Sequence, residues 1–181
     1  KFRGRKLLKS DHLKDLRPTT DANREALFNL LNSAKFLKEI NFKIENSLII
    51  DICCGTGAVA LEALSRGAKS AILIDNNKTH LDLAKSNAQM LKIEDSCQFI
   101  LSDATKKLNI DNQDKQNLIF LDPPYNQDFK PIVQNLISQN ILNQKSLLVI
   151  ETSNNKINEI ENLKILEMRN YGKTHFIFLV F

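Results

Sequence analysis

The sequence predicts an α/β fold: a seven-stranded, mostly parallel sheet with helices on both faces and an antiparallel hairpin at its C-terminal end. Three observations predict it. From residue 47 onward, short apolar runs alternate with amphipathic stretches of helical period. The first five runs are nearly continuous in apolar residues, as strands buried on both faces are. The last two runs have only Tyr171-Gly172-Lys173 between them, too little chain for a helical crossover and enough for a hairpin turn.

Taken in order, Arg17-Pro18-Thr19-Thr20-Asp21 marks a helix start. Thr20 is placed to cap it, and Asp21 puts a negative charge in the first turn. Leu27, Leu30, Leu31 and Ala34 then recur at helical spacing. Ser47–Ile52, Ser70–Ile74, Cys97–Leu101, Asn117–Leu121 and Ser146–Ile150 are the five parallel strands. Helices are predicted at Ala58–Arg66, with Gly67 as the stop, at Lys78–Leu91 and at Phe129–Gln139. Leu163–Arg169 and Thr174–Phe181 complete the seven strands. The length, 181 residues, suits one domain. Residues 1–35 form an arm plus a helix, and 47–181 form the core.

Charge is unevenly placed. The whole chain carries a net +4. Residues 1–24 hold eight basic and three acidic residues, whereas 25–181 hold 17 basic and 18 acidic ones. The excess positive charge is therefore confined to a short arm, the footprint of an anion-binding patch. No apolar run approaches a membrane span of about 20 residues, and no leader pattern predicts secretion. Cys53, Cys54 and Cys97 are odd in number, which fits a reducing cytoplasm better than a disulfide framework. His12, His80 and His175 are scattered, so no metal site is expected.

Asp51-Ile52-Cys53-Cys54-Gly55-Thr56-Gly57 follows the first parallel strand and opens a helix. Glycines there let the backbone turn tightly and approach a ligand, and the helix start offers free N–H groups. Asp75 closes the second strand, where a carboxylate accepts both hydroxyls of a ribose. Asp103, just past the third strand, is placed to accept from an adenine amine or a nearby loop. Open α/β sheets bind ligands at such strand ends. The pattern Gly55-x-Gly57-x-x-Ala60 also leaves a nicotinamide or flavin dinucleotide open. Cys53 and Cys54 are expected to act as small packing residues whose backbone shapes the loop.

The fourth strand runs into Asp122-Pro123-Pro124-Tyr125. Two prolines remove two backbone donors and fix two φ angles. Acceptors remain, namely the Asp122 carboxylate and the carbonyls around Pro123. Such a set suits an NH₂ group, which needs two acceptors at a set angle. Tyr125 adds a face on which a flipped base can stack.

Together these motifs resemble the S-adenosylmethionine-dependent amino-methyltransferases. Gly4-Arg5-Lys6-Leu7 after Phe2-Arg3, then Arg17-Pro18-Thr19-Thr20-Asp21 with Arg24-Glu25, and Leu61-Glu62-Ala63-Leu64-Ser65-Arg66-Gly67-Ala68 narrow the likeness. So does Tyr171-Gly172-x-Thr174. The chain resembles the RsmD-type 16S rRNA guanine-N2 methyltransferases over essentially its whole length. The family often has Phe in place of Tyr125, and Phe-Ala or Cys-Ala in place of Cys53-Cys54.

The resemblance implies a Rossmann-like sheet in a single methyltransferase domain and methylation of one guanine N2 in small-subunit rRNA. It further implies S-adenosyl-L-methionine as cofactor, a partly assembled 30S particle as substrate, and a cytoplasmic monomer needing no metal. Asp51, Cys53, Gly55, Thr56, Gly57, Asp75, Asn76, Asp103, Ala104 and Asp122 would hold the cofactor. Asp122, Pro123, Pro124 and Tyr125 would hold the reacting amine. Arg3, Arg5, Lys6, Arg17, Thr19 and Arg24 would contact RNA. Glu25 and Glu62 are expected on a helix surface or in packing. The motifs alone leave three other readings open: an adenine-N6 methyltransferase, a dinucleotide oxidoreductase and a catalytically silent RNA-binding assembly factor.

Overall fold

Side chains alternate across a strand, so a sheet that is apolar on both faces must be covered on both. The buried residues divide accordingly. Ile49, Leu73, Phe120, Val149, Phe176 and Phe178 belong to one apolar cluster, and Ile50, Ile72, Ile119, Ile150 and Ile177 to a second. The computed structural model describes residues 7–8, 20–110, 117–124, 127–153, 159–160 and 162–181. In chain order its elements are α1 (Asp21–Ser33), α2 (Lys35–Glu39), β1 (Leu48–Ile52), α3 (Ala58–Ser65), β2 (Ser70–Asp75), α4 (Lys78–Leu91), β3 (Cys97–Leu101), β4 (Asn117–Leu121), α5 (Lys130–Ser138), β5 (Ser146–Thr152), β6 (Lys164–Tyr171) and β7 (Thr174–Val180).

The seven strands form one sheet in the order β3-β2-β1-β4-β5-β7-β6. β1 to β5 are parallel. β7 runs antiparallel to β5 and to β6. The hairpin therefore folds back so that its second strand joins the sheet and β6 becomes the edge. Apolar residues of α1, α2, α3 and α4 pack in the first cluster, and Ile132, Val133 and Leu136 of α5 pack in the second. Helices thus cover both faces, as expected.

Local chemistry explains the helix boundaries. Thr20 caps α1, its hydroxyl oxygen accepting from the Asn23 N–H at 3.1 Å, with Asp21 in the first turn. Asn77 caps α4 in the same way through the Thr79 N–H. α5 has Pro131 in its first turn, where a missing N–H costs nothing. Three details differ from expectation. β3 is not a buried strand: it ends the sheet opposite β6, and none of its five residues is buried. Ala34 is extended (ψ 134°) and separates α1 from α2, a five-residue helix the periodicity does not resolve. β5 continues through Glu151 and Thr152, because both pair with β7 opposite Phe176 and His175.

This order reverses direction between β1 and β4: β2 and β3 lie on one side, β5 on the other. A crevice opens at such a switch point, outside the carboxyl ends of the strands.

Candidate functional site

Asp51 points from β1 at the helix that follows it. Its carboxylate accepts from the Ala60 N–H at 3.1 Å, in the first turn of α3. Gly57, at the N-cap position, has no side chain to satisfy that group. Asp51 is buried, and burial pushes its carboxyl up to about 8. The Ala60 N–H opposes the shift and the Asp75 charge adds to it.

The loop between β1 and α3 turns through three left-handed residues, Cys53 (φ 61°), Gly55 (φ 53°) and Gly57 (φ 74°). The turn closes where the Gly57 N–H donates to the Cys54 carbonyl at 2.8 Å. It is fastened to β2 where the Cys54 N–H donates to the Ile74 carbonyl at 3.0 Å. A left-handed non-glycine residue costs about 1–2 kcal/mol, so Cys53 holds local strain at the cavity rim. Burial, then the charges of Asp75 and Asp122, push its thiol up to about 12. It is therefore no thiolate nucleophile at neutral pH.

Asp75 ends β2 and organises the loop from beside it. One carboxylate oxygen accepts from the Gly55 N–H at 3.0 Å and the other from the Asn77 N–H at 2.9 Å. His80 Nδ1 stands 3.5 Å from the second oxygen. Asp103 accepts from both the backbone N–H and the hydroxyl of Thr105, which hold its carboxyl below the usual carboxylate range.

At the end of β4, the Asp122 N–H donates to the Ile52 carbonyl at 3.3 Å and lays the loop across β1. Pro123 is buried and Pro124 exposed, and the Pro124 carbonyl accepts from the Gln127 N–H at 2.8 Å. The carboxylate and the stiff proline pair thus face the glycine loop over the switch point.

Between them lies a cavity of about 210 Å³. Asp51, Cys53, Gly55, Thr56, Asp75, Asn76, Asp122, Pro123 and Pro124 line it, as the sequence predicted for the site. Gly57 stands behind the wall, its Cα facing Leu73 and Ala84. Asp103 and Ala104 line an adjoining recess of about 20 Å³ that shares Cys53, Asp75, Asn76 and Gln127 with the cavity. Arg24 lies outside it, paired with Asp21 at 2.8 Å. Arg3, Arg5, Lys6, Arg17, Thr19 and Tyr125 lie outside the described residues. Glu62 pairs with Arg66 at 2.8 Å, and Arg66 covers the Phe28 ring at 4.9 Å, so this acid is part of the packing of α3 on α1.

Sequence reasoning missed Thr20, Asn23, Phe120, Glu151 and Thr174 as lining residues, together with Cys54, Ala58, Val59, His80 and Gln127. The Asn23 amide donates to the Thr174 hydroxyl at 2.9 Å and closes α1 over the start of β7. No local pattern signals a contact between residues 151 positions apart. For Glu151 a signal existed: a lone acid after an apolar run, like Asp51, Asp75 and Asp122.

Among the described residues, the lining includes four acidic residues, of which burial keeps Asp51 protonated at neutral pH, and no Lys or Arg. Such a cavity suits a cationic ligand and disfavours a pyrophosphate. Among the described residues, too, no group of three or more His, Cys, Asp or Glu is arranged to hold a metal ion, and no helix is long and apolar enough to cross a membrane.

Comparison with known proteins agrees with this geometry. The family model described as Conserved hypothetical protein 95 matches residues 1–180. A ribosomal RNA small subunit methyltransferase D from Haemophilus influenzae is 31% identical, the match covering 94% of this chain and 86% of that protein. A solved Escherichia coli structure described as that of a methyltransferase superposes with a TM-score of 0.77 at 28% identity, covering 98% of this chain and 92% of that one. An RNA methyltransferase from Salinibacter ruber, solved in complex with S-adenosyl-L-homocysteine, shares the fold at a TM-score of 0.60 and 14% identity, covering 90% and 92%.

Proposed function

From the premise that this chain belongs to the ribosomal RNA small subunit methyltransferase D family, we propose that it methylates the exocyclic N2 amine of a guanine in 16S rRNA, using S-adenosyl-L-methionine. The observation that carries the reading is the Asp122-Pro123-Pro124 segment, whose single backbone N–H is spent on Ile52, facing the glycine loop across a cavity whose described lining holds carboxylates and no Lys or Arg. The chemistry of that donor set fits the cofactor. When bound, S-adenosyl-L-methionine supplies an electrophilic methyl group on a positively charged sulfur.

Gly55, Thr56 and the backbone at Cys53 would border the cofactor on one side, with Asp51 holding the loop through Ala60. Asp75 has lone pairs left for a ribose diol beyond its bonds to Gly55 and Asn77. The recess at Asp103 and Ala104, beside Asn76, suits the adenine. The Asp122 carboxylate and the Pro123 carbonyl accept the two N–H groups of the target amine and turn its lone pair toward the cavity. Each such bond to a charged acceptor contributes about 1.5–3 kcal/mol. Tyr125 stacks on the base, returning roughly 1–3 kcal/mol against the few kcal/mol that extrusion costs. Asp122 need not be a strong base, because the proton would leave from the methylated, positively charged amine after transfer. Acceleration then comes from positioning and exclusion of water.

Residues 1–35 supply the RNA-docking arm and residues 47–181 the cofactor and catalytic core of one domain. A monomer acting on a partly assembled 30S particle in the cytoplasm fits so local a basic patch, since shape must complete what charge begins.

Mass spectrometry of nucleosides from 16S rRNA tests the reading, with partly assembled 30S particles incubated with wild-type protein or with Asp122→Ala. N2-methylguanosine should appear with wild type only, while the variant still binds S-adenosyl-L-homocysteine through the glycine loop and Asp75. Appearance of N6-methyladenosine instead would assign the adenine chemistry, and near-normal turnover by the variant would sink the role of Asp122.

A further inference from the structure

Asn87 sits in α4, fully buried and outside the cavity. Its side-chain amide is shared between two distant parts of the chain. Oδ1 accepts from the Leu8 N–H at 2.7 Å, and Nδ2 donates to the Leu8 carbonyl at 3.4 Å. The same Nδ2 donates to the Thr56 carbonyl at 3.0 Å, inside the glycine loop. One planar amide therefore pairs with both backbone polar groups of an arm residue and with a residue lining the cavity. Leu7, next to it, packs against the cluster of Leu61, Ala88 and Leu91, on the helices flanking the loop.

A buried amide left without partners costs about 1–3 kcal/mol. If Leu8 withdraws, Asn87 turns to find new partners, and its bond to Thr56 turns with it. Among the described residues, the loop's other fastenings act at Cys54, Gly55 and Gly57, so Asn87 is what holds the peptide at Thr56.

We propose that Asn87 is a positioning residue that couples the basic arm to the cofactor loop, so that anchorage of the arm raises the affinity of the cavity for its ligand. The proposal rests on the reading of the arm as the RNA-docking element and of the cavity as the cofactor site. Coupling between two sites is reciprocal. RNA that holds Leu7 and Leu8 against α4 tightens the cofactor site, and a filled cofactor site favours the Leu8 contact.

Two full-length variants isolate the link. Leu8→Pro removes the N–H that Asn87 accepts from, whereas Leu8→Ala keeps it and trims a side chain that is 46% exposed. Calorimetric titration with S-adenosyl-L-homocysteine, without RNA, should show Leu8→Pro binding roughly 5- to 10-fold more weakly than Leu8→Ala. Asn87→Asp keeps the acceptor for Leu8 and loses the donor to Thr56, so it should weaken binding similarly. The double variant Leu8→Pro/Asn87→Asp should then be no weaker than the weaker single one. Equal affinity for the two Leu8 variants, or losses that multiply, would overturn the coupling.

Hydrogen exchange of the ligand-free proteins supplies a second measure. The amides of Gly55 to Ala60 should exchange faster in Leu8→Pro than in Leu8→Ala, and equal rates would again overturn the proposal. Should Asn87→Asp fail to fold, the two Leu8 variants decide. Wild-type protein that does not bind S-adenosyl-L-homocysteine would refute the cofactor reading, and the exchange comparison would still decide whether the arm fastens the loop.

Discussion

Asp51 carries a carboxyl group whose ordinary value is near 3.9 when unfolded and which burial lifts to about 8 in the folded chain. Below about pH 4 the group is protonated in both states. Between pH 4 and 8 only the folded state keeps the proton, so folding becomes less favourable as pH rises through that window. Asp51→Asn stays neutral throughout and keeps an oxygen for the Ala60 N–H. Wild-type stability should therefore fall relative to Asp51→Asn between pH 5 and pH 9, by a few kcal/mol at about 1.4 kcal/mol per unit. Urea unfolding of the ligand-free proteins at pH 5, 7 and 9 measures the gap, and a gap independent of pH would refute it. At this scale the sequence marks which residues matter more readily than what they do. Asp51 was legible as a site acid from its place at the carboxyl end of a strand that runs into a glycine loop. That its oxygen caps α3 follows from a distance between loop and helix that no spacing rule carries.

The element that gives the site its shape is the glycine loop, and Gly57 is its tightest point. A Cβ built there would stand 2.7 Å from Leu73 Cδ2 and 3.1 Å from Ala84 Cβ, at a φ of 74°. Leu73 and Ala84 are both fully buried. Neither neighbour has room to yield, and the left-handed backbone adds about 1–2 kcal/mol to an overpacking cost of about 1–3 kcal/mol. Gly57→Ala should lose about 2–5 kcal/mol of stability through the two effects together, and it should bind S-adenosyl-L-homocysteine more weakly. Urea unfolding and calorimetry check both, and an unchanged midpoint would show that the loop adapts. The elements themselves were largely legible. Four of the parallel strands, β1, β2, β4 and β5, announce themselves because burial on both faces demands nearly unbroken apolar runs, and α4 because its apolar positions repeat over 14 residues. α2 was hidden by its five-residue length. The end of β5 was hidden by Glu151 and Thr152, polar residues that look like a loop until β7 is known to pair with them.

Across the whole molecule, charge is divided between a basic arm and a carboxylate-lined cavity. The division was countable from the sequence, but the way α1 and β7 meet to wall the cavity was not, since Asn23 and Thr174 find each other only after the sheet forms. The arm's role makes a separate prediction about association. If Arg3, Arg5 and Lys6 lie on RNA phosphates, each pairing releases counterions, and affinity falls with salt accordingly. Replacing all three with Gln should reduce the slope of log affinity against log salt by about 0.7–0.9 for each phosphate no longer neutralised. Because these substitutions leave the Leu8 peptide intact, affinity for S-adenosyl-L-homocysteine without RNA should stay at the wild-type value. Fluorescence anisotropy with a 16S rRNA fragment, repeated across a salt series, measures the slope. An unchanged slope would take RNA docking away from the arm. A reduced slope with unchanged cofactor affinity would separate the arm's charge, which meets the RNA, from its backbone, which meets Asn87.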